Sequence, residues 1–364
     1  IRNSLKSGFP NEGEAAFITG GARDIEALFK NIKAQPGNFE ADSPGDVVQY
    51  IAAHDNLTLH DVIAKSINKD PKVAEEEIHK RLRLGNTMIL TAQGTPFIHS
   101  GQEYGRTKQF LNPAYIGKVA ESAAPYKSTL IDAVTEYPYF IHDSYDSSDA
   151  INHFDWEKAT NEATYPINVK TQKYTTGLIA LRRSTDAFRK TNKADIDRDV
   201  TLLSVPKTQT ESAGVEETDL FIAYQTVASN GDIYAVIINA DTKVRQLDLS
   251  SDQTKWADAQ VLVDAERAGT EAIVDPKGLT FTENQLSVEP LTALVLKVAK
   301  KGNQPTPQPT TTTTSEPGNA TTTQTSTSPT TKSQSGKNKS NLPSTGSQAS
   351  PIFIIAGGSL LTIL

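Results

Sequence analysis

The segment Val47-Val48-Gln49-Tyr50-Ile51-Ala52-Ala53-His54-Asp55-Asn56 constrains the fold more than any other stretch of this chain. β-Branched and aromatic residues pass into small alanines, and the run stops on three polar side chains. Such a run suits a parallel strand buried on both faces, which requires helices covering the sheet. Its carboxyl end would deliver His54, Asp55 and Asn56 to one place, the end at which barrels of alternating strands and helices build their sites. The plainer alternative is that Asp55 N-caps a helix starting near Leu57 to Asp61.

The neighbouring segments extend the α/β pattern. Residues 72–92 contain a helical stretch that turns from acidic (Glu75, Glu76, Glu77) to basic (Lys80, Arg81, Arg83). Residues 95–103 then look like a second buried strand, ending on Gln102 and Glu103. Two strand–helix units in series, each strand ending in polar groups, suggest part of a barrel or of an open α/β sheet. A helix over roughly 174–189, with Leu178, Leu181 and Phe188 at helical spacing, closes this region.

From about residue 195 the pattern becomes all-β. Short apolar runs at 200–205, 220–227, 233–239, 244–249, 260–263, 279–281 and 291–298 recur about every ten residues, separated by polar turns such as Ser229-Asn230-Gly231-Asp232. That spacing predicts an antiparallel sandwich. The expected divisions are an α/β part over 1–165 and a closing helix with β-sandwich over 166–300.

Beyond residue 300 the composition changes. Residues 301–341 are rich in Thr, Ser and Pro, with the run Thr310 to Thr314, and have almost no apolar surface to offset chain entropy. A disordered linker is expected there. Residues 342–364 end in the apolar run 351–364. The net charge of the 364 residues is -7 with no basic stripe, which argues against nucleic acid as a partner. The absence of cysteine removes disulfides, zinc–thiolate sites and thiol nucleophiles together. The chain opens on Ile1-Arg2-Asn3-Ser4-Leu5-Lys6, which reads like the interior of a domain, so a carboxyl-terminal piece of a longer protein is expected.

A third polar cluster spans 142–156, where Tyr145, Phe154 and Trp156 interleave with Asp143, Asp146, Asp149, Asn152 and Asp155. Rings that stack on pyranose faces, beside carboxylates and amides that bond hydroxyls, suit sugar binding; an ordered surface loop would look the same. Taken in order, Tyr50-x-x-x-His54-Asp55-Asn56, then Gly94-Thr95-Pro96-Phe97-Ile98-His99-Ser100-Gly101-Gln102-Glu103, then Ser144-Tyr145-Asp146-Ser147-Ser148-Asp149-x-x-Asn152-x-x-Asp155-Trp156, the motifs resemble the α-amylase clan (glycoside hydrolase family 13) and within it type I pullulanases. The resemblance covers about residues 1–300.

The resemblance implies the carboxyl-terminal part of a (β/α)8 barrel, about strands 6–8, followed by the family's β-sandwich. It also implies a retaining glycosidase that debranches α-1,6 bonds of pullulan, glycogen or starch, with two carboxylates about 5–5.5 Å apart flanking the scissile bond. Asp55 matches the family's third carboxylate, a transition-state stabiliser, and His54 its partner on the sugar. Asn56, Asp149 and Asn152 match positions at the same subsite, and Glu103 is expected to brace the end of its strand. The nucleophile and acid/base of the family lie upstream of the His-Asp motif. Glu12, Glu14, Asp24, Glu26, Glu40, Asp42 and Asp46 have no matching strand-end context, so this chain alone is expected to be inactive. No cofactor is expected; calcium is common in the family, but no clear ligand cluster stands out.

Leu342-Pro343-Ser344-Thr345-Gly346, placed after the Thr-rich tract and before the apolar run, resembles the LPxTG cell-wall sorting signal of Gram-positive bacteria. That implies cleavage by a sortase between Thr345 and Gly346, linkage to peptidoglycan at the cell surface, and only a transient hold on the membrane through the last 14 residues, which are short for a span of about 20. The expected partners are an α-glucan, sortase and peptidoglycan. The competing class is a non-enzymatic surface adhesin whose sandwich binds glycans.

Overall fold

Gly177 sits where helix and sheet regions meet, and the elements on either side define the architecture. The computed structural model describes residues 1–8, 11–204, 218–249 and 254–300, all within one compact unit, Ile1–Thr306. In chain order the amino-terminal elements are α1 (Arg2–Leu5), β1 (Arg23–Asp24), α2 (Ile25–Ile32), β2 (Val48–Gln49), α3 (Leu59–Ile67), α4 (Pro71–Thr91) and β3 (Thr95–Pro96). There follow a hairpin of β4 (Ser128–Leu130) and β5 (Tyr139–Ile141), then α5 (Asp149–Asn152), α6 (Trp156–Thr160), α7 (Pro166–Ser184) and α8 (Lys193–Asp199).

β2, α3–α4 and β3 make a βαβ unit whose two strands pair in parallel, Val48 opposite Thr95 and Gln49 opposite Pro96. The strands expected over 47–54 and 95–103 carry a ladder only at these two pairs. Pro96 has no N–H to donate, and Val48 is 52% exposed, its flank uncovered by any other described strand. Gln49 holds the start of the pair instead: its buried amide donates to the carbonyls of Asn31 and Gln93, both at 2.8 Å.

α4 is the central helix. Asp70 caps it, Pro71 opens it, and residues 78–91 are buried apart from Lys80, because α3, α7 and the sheet enclose it. Buried polar side chains along it are paired: Arg81 with Glu77 and the Ile18 carbonyl, Asn86 with Thr175 and Gln102. α7 starts eight residues earlier than its apolar spacing indicates, at the helix-initiating Pro166, and stops at Ser184. α3 is capped by Thr58, whose hydroxyl accepts from Asp61 N–H at 3.2 Å, so Asp55 is not its N-cap.

The carboxyl-terminal part is antiparallel, with β6 (Val200–Ser204), β7 (Thr218–Asp219), β8 (Phe221–Val227), β9 (Ile233–Asn239), β10 (Arg245–Asp248), β11 (Gln260–Val263), β12 (Leu279–Thr282), β13 (Gln285–Val288) and β14 (Thr292–Val298). Five strands pair in the order β11-β14-β9-β8-β6 and three in the order β10-β13-β12. The larger sheet is buried on both faces. Phe221, Ala223, Ala235, Ile237, Leu294 and Leu296 pack toward the smaller sheet, while Ile222, Tyr224, Val236, Ile238, Ala293 and Val295 join the core shared with α4 and α7. This explains why β8 and β9 read as continuous apolar runs rather than alternating ones. β13 was not expected as a separate strand; it pairs with both β10 and β12. The linker 301–341, the segment 342–364 with Thr345 and Gly346, and the run's last residue, Val205, lie outside the described residues.

Candidate functional site

The parallel pair continues as two packed segments past its last rung. Ile51 and Ala52 are buried, and the Tyr50 ring meets Phe97 edge-on with centroids 6.3 Å apart. His54, Asp55 and Asn56 therefore leave at the carboxyl end, on the side where β3 gives way to residues 97–106. His54 Nε2 and Asp55 Oδ1 are 3.1 Å apart, and their side chains are 65% and 62% exposed. They face solvent as a polar pair, not as a structural bridge in the core.

Asn56 adopts a left-handed conformation (φ 60°), which asparagine tolerates better than most residues. This turns its N–H toward Asp143, whose Oδ1 accepts it at 2.6 Å. Asp143 is itself left-handed (φ 46°), and His142 Nδ1 lies 3.0 Å from its other oxygen. The Asn56 N–H, chiefly, and then His142 hold the Asp143 carboxyl below the usual carboxylate range. The loop carrying His54 and Asp55 is thus pinned to the loop over 142–152.

Lys108 makes the second tie. Its side chain is buried, and Nζ donates to Ser144 Oγ at 2.8 Å and to the Asn56 carbonyl at 3.3 Å, one partner in each loop. Its backbone N–H donates to Asp61 Oδ2 at 2.8 Å. Asp61, fully buried in the first turn of α3, also accepts from the Thr107 hydroxyl. Burial pushes the Lys108 ammonium down to about 8, against the opposing pull of Asp61.

The remaining expected residues fall on the same face. Asp149 opens α5 and is exposed, and its carbonyl accepts from the His153 N–H at 2.9 Å. Asn152 is half-buried; its amide donates to the carbonyls of Ser144 and Ser147, and its carbonyl accepts from Arg106 Nη1 at 3.1 Å. Its amide is thus engaged in the loop's own backbone. Arg106 also lies 3.4 Å from His99 Nε2. Burial, then Arg106, Lys108 and His54, push the His99 imidazole down to about 4, so it is neutral at pH 7. Glu103 Oε2 accepts the N–H of Gly101 (φ 95°) at 2.8 Å, bracing the turn after β3.

The structure thus brings His54, Asp55 and Asn56 beside the loop that carries Asp149 and Asn152. Lys108 and Asp143 join the two; Asp143 stood in the polar cluster over 142–156 without a partner assigned, and the only cue for Lys108 was a basic pair, Arg106 and Lys108, directly after the Gln102-Glu103 end. Among the described residues no group of three or more His, Asp or Glu could hold a metal ion. No helix among them is long and apolar enough to cross a membrane.

Comparison with known proteins bears on both halves. A family model described as SpuA C-terminal matches residues 199–299, the antiparallel sheets. Pullulanase A of Streptococcus pneumoniae is 60% identical over 308 residues, which is 83% of this chain. The chain is homologous to pullulanases. It spans about a quarter (24%) of the length of that curated pullulanase. The crystal structure of the Group B Streptococcus pullulanase SAP in complex with maltotetraose has a TM-score of 0.77 and 66% identity, over 82% of this chain and 38% of that one. A product complex of SpuA, a multi-modular glycogen-degrading pneumococcal virulence factor, gives the same TM-score at 60% identity, over 82% of this chain and 31% of that one. The mixed helical and antiparallel fold described above is therefore that of pullulanase modules.

Proposed function

We propose that this chain contributes to a pullulanase-type glycoside hydrolase acting on α-1,6 bonds of pullulan, glycogen or starch by a retaining mechanism. The observation that carries this is the exposed His54–Asp55 pair at the carboxyl end of a parallel strand, pinned to the loop of Asp149 and Asn152, in a chain 60% identical to part of a pullulanase over 308 residues. The βαβ unit fits part of a (β/α)8 barrel, in which that end carries the active site.

Asp55 stabilises the positive charge that develops on the sugar ring, and His54 donates to a hydroxyl at the cleavage subsite. Asn56 and Asp149 complete the subsite's polar rim, and Asn152 shapes its loop. Neither a nucleophile nor an acid/base is assigned in this chain. Glu12, a carboxylate of the amino-terminal segment, is only 2% exposed, unlike the open Asp55. No cofactor enters the proposed chemistry, and calcium has no assigned ligands.

Product analysis on pullulan, with the full reading frame that contains this chain, tests the assignment. Asp55→Ala should lower kcat/KM by at least about 100-fold, the scale of removing one preorganised electrostatic contact. Unchanged turnover would remove the role given to Asp55. Turnover by the 364-residue chain alone would overturn the statement that it lacks the reacting pair. The sequence Leu342-Pro343-Ser344-Thr345-Gly346 supports sortase-mediated attachment to peptidoglycan at the cell surface. Fractionation of cells carrying Thr345→Ala should then show the protein lost from the wall.

A further inference from the structure

A pair of tyrosines beside the His54–Asp55 loop is left out of the contacts that hold the site. Tyr145 is 70% exposed, with its ring centroid 6.3 Å from the imidazole of His54. Tyr126, on the segment leading into the β4–β5 hairpin, is 85% exposed. Lys127 joins them: its Nζ lies 4.5 Å from the centre of the Tyr145 ring and 5.5 Å from that of Tyr126, while it pairs with the Asp146 carboxylate. The rings come from two separate segments and are spaced by one cation.

The backbone beneath them is pinned in an unusual conformation. Lys127 is left-handed (φ 55°), a region that lysine rarely enters, and its carbonyl accepts from the His142 N–H at 2.8 Å. The Ser128 hydroxyl closes the turn on the Pro125 carbonyl at 2.6 Å. Three of the left-handed residues that are not glycine, Asn56, Lys127 and Asp143, therefore lie in loops joined by hydrogen bonds, Asn56 to Asp143 and His142 to Lys127. Strain of this kind persists only where surrounding contacts over-determine it, and it gathers at ligand sites. Among the described residues neither ring is packed into the core.

We propose that Tyr126 and Tyr145, spaced by Lys127, form a glucosyl-binding subsite continuous with His54. It would take a part of an α-glucan other than the unit being cleaved. The assignment rests on the α-glucan function proposed for His54 and Asp55. A pyranose presents apolar C–H faces that match an aromatic face, and equatorial hydroxyls that match donors and acceptors at the rim. Lys127 supplies the donor and Asp146 the acceptor. A glucan chain leaving His54 meets Tyr145 first and Tyr126 next.

The test uses the full reading frame, with maltotetraose as the probe for calorimetric binding and pullulan as the substrate. Tyr126→Ala should raise the maltotetraose Kd and the pullulan KM by about 5-fold, the loss falling on binding rather than on turnover. Tyr126→Phe should restore both, because the ring and not the hydroxyl makes the contact. Wild-type Kd and KM in Tyr126→Ala would overturn the subsite, and so would a fall in kcat at constant KM. Asp55→Ala run in parallel separates the two levels. If Asp55→Ala is inactive while Tyr126→Ala is normal, only the subsite fails. If Asp55→Ala keeps full turnover, the function beneath it fails as well.

Discussion

Gly177 and Gly85 are both interior helix glycines, and helix propensity alone predicts that alanine would stabilise either by about 1 kcal/mol. The structure separates them. A Cβ on Gly177 would lie 1.9 Å from the carbonyl oxygen and 2.5 Å from the carbonyl carbon of Ala268. Those are backbone atoms of a loop whose neighbours are already tied: Gly269 N–H donates to Leu262, and Asp264 N–H to the Arg267 carbonyl. Ordinary contact needs about 3.4 Å, so α7 and the loop would have to part by more than an ångström. Overpacking of this kind costs about 1–3 kcal/mol or more, and here the upper end applies because backbone must move. The net expectation for Gly177→Ala is a loss of about 2 kcal/mol. In Gly85→Ala the new methyl would meet only side-chain termini, Ile51 Cδ1 at 3.0 Å and Ile18 Cδ1 at 3.4 Å. These can rotate, so a change within about 0.5 kcal/mol of zero is expected once the propensity gain offsets the crowding. Urea unfolding followed by tryptophan fluorescence measures both. A Gly177→Ala protein as stable as the parent would refute the close approach of α7 to the sandwich.

Two further outcomes follow from the pinned loops. Asp143→Asn keeps the shape but replaces a charged acceptor at the Asn56 N–H by a neutral one, and should weaken maltotetraose binding by the full-length enzyme about 3-fold through a looser His54–Asp55 loop; unchanged calorimetric binding would argue against the clamp. His99 is held neutral in the fold, so the stability it supports is complete above its ordinary value of 6.5 and is lost as pH falls toward about 4. His99→Gln should flatten the decline in urea midpoint between pH 6.5 and 4, and an equally steep decline would show that other groups cause it.

The chain's own pattern of residues specified a good deal. The strand pattern was legible, with β9, β11 and β14 close to where apolar runs placed them, because turn residues punctuate short strands locally, although α8 runs to Asp199, past the expected start of the all-β part near residue 195. α4 was legible from the acidic-to-basic stretch within 72–92, although its cap Asp70 and opening Pro71 were not read as such. The segment 47–56 left two readings open, polar groups delivered at a strand end or an N-cap by Asp55, and it took the structure, in which Thr58 caps α3, to remove the second. Tertiary structure decided what no local pattern encodes. Lys108 lies more than fifty residues from Asn56 and more than thirty from Ser144, yet its ammonium holds both, and nothing in Arg106-Thr107-Lys108 signals that burial. The same holds for Asp143 against Asn56, and for Ala268 against Gly177. Strand ladders of only two residue pairs at β2 and β3 likewise depend on which partners are at hand. Propensity and periodicity act over a few residues; the contacts that aim His54 and Asp55 exist only when distant segments meet in a low-dielectric interior, where each polar group must find its partner.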